Sequence, residues 1–209
     1  MKKVIILSVL VALVFNFSAC KSEKKPEYSK ENKVQEKKST AAFSLKNAKN
    51  EINFIAYKTS EKVPVGGQFK KVNITSGGEG GTIKEAFNNA EFSIPVSSIF
   101  TKDTSRDYKI KKFFFGIMEN TKLLSGKFVI ENDSTGYTNL KMNGVTEKVP
   151  FTYAIDGKTF TMNATMDVSN WNAIKALNSL NTVCKDLHKG ADGVSKTWSE
   201  VTLNIKSTF

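Results

Sequence analysis

The only histidine, His188, lies four residues after Cys184. On a helix that spacing puts both on one face, and Asp186 and Asp192 are near in sequence. Thiolate, imidazole and carboxylate are the donors that hold zinc or run redox chemistry. A structural zinc wants four ligands and a catalytic one about three, and these side chains do not converge in the sequence pattern. The plainer reading is a buried cysteine and a histidine at a helix end, where a protonated imidazole meets the last carbonyls favourably. No nucleophile, base and orienting partner occur at spacings that mark a catalytic constellation. These residues therefore point to binding rather than catalysis, with a metal or redox site at Cys184 and His188 as the lesser alternative. No metal or organic cofactor is expected.

The only arginine, Arg106, sits in the run from Thr104 to Lys109. A guanidinium offers a planar fork of donors that stays charged when partly buried. Two roles fit it: a bidentate pair with a carboxylate that clamps this segment to the rest of the domain, or a place at a cavity mouth facing a polar or phosphorylated head group. Asp107, next in the chain, is suited to capping a helix.

The elements that must position these residues have a period of two. Val149, Phe151, Tyr153 and Ile155 fall on one side, Asp156-Gly157 supplies a tight turn, and Phe160, Met162, Ala164, Met166 and Val168 return on the same face. Thr161, Asn163, Thr165 and Asp167 occupy the other face, the pattern of a half-buried antiparallel hairpin. Ile52-Phe54-Ala56, Phe92-Ile94-Val96 and Val201-Leu203-Ile205 alternate likewise, and Asn143-Gly144 marks another turn. Short strands with glycine-bearing turns in one domain predict an all-β sandwich or barrel, and a barrel leaves no exposed edges. Two segments break the rhythm and read as short packed helices, Tyr108 to Met118 and Trp171 to Leu187. In the second, Trp171, Ile174, Leu177, Leu180, Cys184 and Leu187 form one stripe, and Gly190 is a natural stop.

"INF" at Ile52 to Phe54, "GQF" at Gly67 to Phe69, "SSIFTKDTSRD" at Ser97 to Asp107 and "LKMNGVTEKVPF" at Leu140 to Phe151 resemble, in their order and spacing, the YceI-like family of exported polyisoprenoid-binding proteins. The segment Asn178 to Trp198 is similar to the lipoprotein branch of that family seen in Bacteroidetes-type bacteria. The chain departs from many members, which carry a histidine where Tyr108 or Lys109 lies here. The resemblance implies an extended, lipocalin-like antiparallel β-barrel of about eight strands, with an apolar cavity for an isoprenoid tail. The residues it places in that cavity are Ile52, Phe54, Phe69, Phe92, Ile94, Phe114, Phe151, Tyr153, Phe160, Met162, Met166, Trp171 and Leu203. Methionine among aromatics suits an adaptable apolar pocket; from the pattern alone such a stripe is more often plain core, and it is the resemblance that favours a cavity.

The N-terminus speaks to location. Met1-Lys2-Lys3, an apolar run from Val4 to Phe15 and then Ser18-Ala19-Cys20 read as a secretory signal, too short to span a bilayer as a helix. Small residues directly before Cys20 resemble a bacterial lipobox, which implies cleavage before the cysteine, residues 1–19 being the leader, and acylation of its thiol. Residues 20–40 are almost all charged or small and polar, so they read as a tether that cannot offset its ordering entropy. Residues 41–209 form one domain whose core must stabilise it without an internal disulfide, because Cys184 is its only cysteine. The expected location is the cell envelope, on a bacterial membrane, with the outer membrane facing the periplasm favoured.

The formal charge of +11 on the whole chain loses weight when divided. The leader holds two lysines and the tether seven against four glutamates, which leaves 31 − 2 − 7 = 22 basic and 20 − 4 = 16 acidic residues in the domain, a surplus of six. No zinc-finger spacing, phosphate loop or aromatic RNA-binding signature accompanies it, so nucleic acid is not an expected partner. The expected partners are a hydrophobic isoprenoid lipid, such as a quinone or polyprenyl species, and a membrane reached through acylated Cys20. The competing expectation is a filled barrel that serves as a structural or interaction module.

Overall fold

The computed structural model describes residues 40–209; the leader, Cys20 and nearly all of the tether lie outside the described residues. In chain order the strands are β1 (Phe43–Ser44), β2 (Lys49–Lys58), β3 (Val63–Phe69), β4 (Asn73–Ser76), β5 (Glu79–Gly80), β6 (Glu91–Pro95), β7 (Ile99–Phe100), β8 (Leu123–Ile130), β9 (Thr135–Met142), β10 (Val145–Asp156), β11 (Thr159–Asp167) and β12 (Thr197–Thr208). β1 and β5 form a small separate ladder, and the other ten make one antiparallel sheet in the order β4-β6-β8-β9-β10-β11-β12-β2-β3-β7.

That sheet curls far enough to bring its two edges near each other at one place. β3 lies beside one edge and runs through residues 70–72 into β4 at the other; β6 reaches β7 across the same gap through the 3-10 turn Val96–Ser98. Four Cα–Cα steps reach at most about 14 Å, so the two edges are close where these links cross, and Lys70 N–H donates to Ser98 O at 2.9 Å between them. Counting β3 with β4 and β6 with β7 as single bent strands turns ten strands into eight passes of an up-and-down meander, with β12 paired to β2. The expected antiparallel barrel with few short helices is the architecture found.

Local chemistry explains the register. Asn143 and Gly144 take φ of 50° and 73°, the conformation of a two-residue type I′ hairpin, and they set Met142 opposite Val145. Three glycines lie directly across from phenylalanines: Gly67 from Phe54, Gly126 from Phe92 and Gly136 from Phe151. Each ring occupies the space that a Cβ would fill, as near as 2.3 Å at Gly67. Aromatic rings over cross-strand glycines allow a sheet to bend sharply while covering the exposed backbone.

One end of the barrel is solid. Helix α1 (Ile83–Phe87) starts at a capping box formed by Thr82 and Glu85 and buries Ile83, Ala86 and Phe87. Phe87 stacks on Phe160 at 3.7 Å between centroids, and Tyr153 stacks on the same Phe160 at 5.0 Å.

The other end carries α2 (Thr104–Lys109), continued by a π-helical turn over Ile110–Phe114 and a 3-10 turn over Phe115–Ile117, and α3 (Ile174–Val183). Both segments differ from the periodicity reading. The first starts four residues earlier than Tyr108, because Asp103 is its N-cap and accepts from Arg106 N–H at 3.0 Å. Asp107 therefore lies within the helix and is not its cap. The second is shorter than Trp171 to Leu187: Trp171 ends a 3-10 turn, Asn172 takes a left-handed φ of 55°, and the helix stops at Val183. Asparagine and threonine are weak helix formers, and Cys184 to His188 continue as a single turn outside α3, closed by His188 N–H to Cys184 O at 2.9 Å.

Candidate functional site

The two halves of the barrel interior differ. On β10 and β11 the inward side chains Val149, Phe151, Tyr153, Phe160 and Met162 are fully buried. On β2 and β12 the inward side chains Ile52, Phe54, Ala56, Val201 and Leu203 are only half-buried, although they face the same interior. They face a void of about 190 Å³. An apolar wall with no atoms opposite it forgoes dispersion contacts and hydrophobic stabilisation, which is the usual character of a ligand chamber in an otherwise close-packed protein.

Of the thirteen side chains expected in the cavity, Ile52, Phe54, Phe69, Phe92, Ile94, Phe114, Met162, Met166 and Leu203 line it. Phe151, Tyr153, Phe160 and Trp171 do not. Tyr153 and Phe160 belong to the stack on Phe87, and Phe151 packs over Gly136. Trp171 is buried with its indole N–H donating to Leu140 O at 2.9 Å. These four are core that closes the chamber floor and side.

Other residues complete the lining. Ala56 and Val201 belong to stripes visible in the sequence. Ile110 and Phe115 are brought in by the π-helical turn, and Leu177 and Leu180 by α3. The extra residue of a π turn, seen in Phe115 N–H bonding to Ile110 O, sets Ile110, Phe114 and Phe115 over the opening together. Phe114 and Phe115 meet edge-on at 4.9 Å. One polar group in this wall is unpartnered: the Thr138 hydroxyl is buried and has no hydrogen-bond partner, whereas the Ser207 hydroxyl donates to Asn50 Oδ1 and that of Thr197 to Asn181 Oδ1.

The chamber adjoins a second, polar pocket, also of about 190 Å³, and the two share Ala56, Ile110, Leu180 and Thr197 as walls. Lys58, Asp103, Arg106, Lys109, Cys184 and His188 line this mouth. The bidentate carboxylate pair expected for Arg106 is not formed. Its Nη2 is 3.6 Å from Asp103 Oδ2, its Nη1 donates to Thr101 O at 3.4 Å, and its side chain is 42% exposed. The tight clamp is Asp107 instead, which is 6% exposed and accepts from Thr101 N–H at 2.8 Å and from the Thr101 hydroxyl at 2.7 Å.

His188 is held in one tautomer. The Thr197 hydroxyl donates to Asn181 Oδ1 at 2.8 Å, so its oxygen accepts from His188 Nδ1–H at 2.6 Å. Nε2 then carries the lone pair. Burial foremost, and then Lys58, Lys109 and Arg106, push the imidazole down to about 4, so it is neutral at pH 7. Burial likewise pushes the Cys184 thiol up, which leaves it protonated and a poor nucleophile. Among the described residues no three of His, Cys, Asp and Glu are grouped to hold a metal ion.

Comparison with known proteins agrees with this architecture. No curated protein matches the chain. A polyisoprenoid-binding domain from Saccharophagus degradans, implicated in plant cell wall breakdown, superposes with a TM-score of 0.55 at 11% identity, covering 80% of this chain and 98% of that one. BcnA from Burkholderia cenocepacia superposes with a TM-score of 0.51 at 17% identity, covering 77% of this chain and 96% of its own. At such identities the likeness establishes the fold. The family model for the YceI-like domain matches residues 35–209, and the chain belongs to the YceI-like family.

Proposed function

We propose that this protein binds an isoprenoid-type lipid, a quinone or polyprenyl species, with its tail in the apolar chamber and its head at the polar mouth, and that it acts as a carrier or sequestering protein. The observation that carries the reading is the half-buried inward wall of β2 and β12 around a void that opens toward polar side chains. A filled interaction module would close that void with side chains, as the β10 and β11 half already does. The described likeness to a polyisoprenoid-binding domain supports the choice of ligand. The void of about 190 Å³ is smaller than the roughly 300–1,000 Å³ typical of ligand sites. A long tail therefore requires Met162, Met166 and the ring of Phe114 to move aside, and methionine adapts readily.

Acylation of Cys20 would hold the domain on a membrane of the cell envelope, the periplasmic face of the outer membrane being the favoured location. This reading assigns no catalytic group. Organic extraction of the purified protein followed by lipid mass spectrometry tests the ligand. A co-purifying isoprenoid is the expected result; an extract without lipid, from protein that also fails to take up farnesol, would contradict it.

A further inference from the structure

The mouth pocket draws its charges from distant parts of the chain. Lys58 ends β2, Arg106 and Lys109 belong to α2, and His188 follows α3. Asp103 is the sole carboxylate among its lining residues, and it is already engaged by the α2 N-terminus and loosely by Arg106. Among the described residues the Lys109 side chain makes no hydrogen bond or ion pair, and the Lys58 ammonium donates only to the backbone carbonyl of Leu187 at 2.9 Å. Three cations against one occupied carboxylate, at the rim of a chamber walled by apolar side chains, match an amphiphile with a negative head. Resting on the lipid-binding reading above, we propose that this pocket seats an anionic head group, a phosphate ester or a carboxylate, between Lys58, Arg106 and Lys109 while the tail lies in the chamber.

His188 gives this site a built-in reporter. The titratable groups around it are Lys58 from β2, Asp103, Arg106 and Lys109 from the α2 segment, and Cys184 from its own turn. Burial and the three cations keep the ring neutral in the free protein. An anion set among those cations cancels their field at the imidazole and favours its charged form. By linkage, occupancy by an anion and protonation of His188 support each other. A neutral head group leaves the cations uncompensated and His188 unprotonated.

The test compares farnesyl phosphate, farnesoic acid and farnesol on the purified protein. Both anions are expected to bind about tenfold more tightly than farnesol, the increment of a single charge-assisted hydrogen bond. A Lys58→Gln/Lys109→Gln double variant is expected to lose that preference while still binding farnesol, which shows that its chamber is intact. A Lys111→Gln/Lys112→Gln variant makes the same charge change outside the pocket lining and is expected to keep the preference. His188 is the only histidine, so its imidazole NMR resonances are unambiguous. They should titrate near 4 in the free protein and move upward in either anion complex but not with farnesol. Equal affinity for anions and farnesol, equal loss in both double variants, or an unmoved His188 titration would overturn the head-group assignment and leave the chamber reading standing. Failure of all three probes to bind would overturn the chamber reading itself.

Discussion

The hydroxyl of Thr138 is the one polar group without a partner in the chamber wall. A buried hydroxyl left unsatisfied costs about 1–3 kcal/mol, so Thr138→Val, which keeps the branched shape, is expected to raise the melting temperature by a few degrees in thermal denaturation. An unchanged or lowered value would mean that the hydroxyl is satisfied in solution. His188 also carries a cost, and this one depends on pH. Its folded value of about 4 lies below its ordinary value of 6.5, so the unfolded chain binds more protons between those limits. Stability is then fully present above about pH 6.5 and falls as the pH drops toward 4. His188→Gln should flatten that window in pH-dependent denaturation, and a loss of equal size in both proteins would assign it to other groups. The sequence displayed His188, Cys184 and Arg106 as unusual residues, but not their meeting with Lys58. That meeting joins residues 58, 103–109 and 184–197, and no local spacing encodes a contact across so much chain.

At the level of elements, the period of two carried most of the barrel, and its limit is visible in β10 and β11. Phe151, Tyr153 and Phe160 alternate inward just as Ile52 and Phe54 do, yet the first three are core and the last two line the chamber. Alternation reports which face a side chain takes. What lies opposite it is decided by α1, whose Phe87 fills one half of the barrel, and by the lack, among the described residues, of an equivalent plug beneath β2. The two helical segments have bounds other than their apolar stripes suggest for a related reason: Asp103 caps one, and Asn172 in a left-handed conformation breaks the other, and both act at single residues that a stripe of apolar side chains does not register. The Phe54–Gly67 pair offers a test at this level. A Cβ at residue 67 would lie 2.3 Å from the Phe54 ring, so Gly67→Ala must push that ring aside, and the chamber is the space before it. Farnesol affinity should drop severalfold with little change in circular dichroism, and unaltered affinity would show that the ring does not border the bound tail.

At the scale of the described domain, residues 40–209 form a barrel packed solid at one end, open within at the other, and rimmed by cations beside the opening. Exposed Leu187 and Tyr108 lie on the segments that build this rim. Under the proposed function, such a rim would keep a lipid's head in a polar environment while its tail enters the chamber. The central claim is that the space between β2, β12 and the helical cover is a lipid chamber. Leu203 pairs across β12 and β2 with Phe54 and faces that space, so Leu203→Trp fills it from within. The most direct measurement is native mass spectrometry of the wild-type protein and of Leu203→Trp after incubation with farnesol. The account predicts a bound lipid in the wild type and its loss in a variant that remains folded; equal lipid occupancy in both would contradict it.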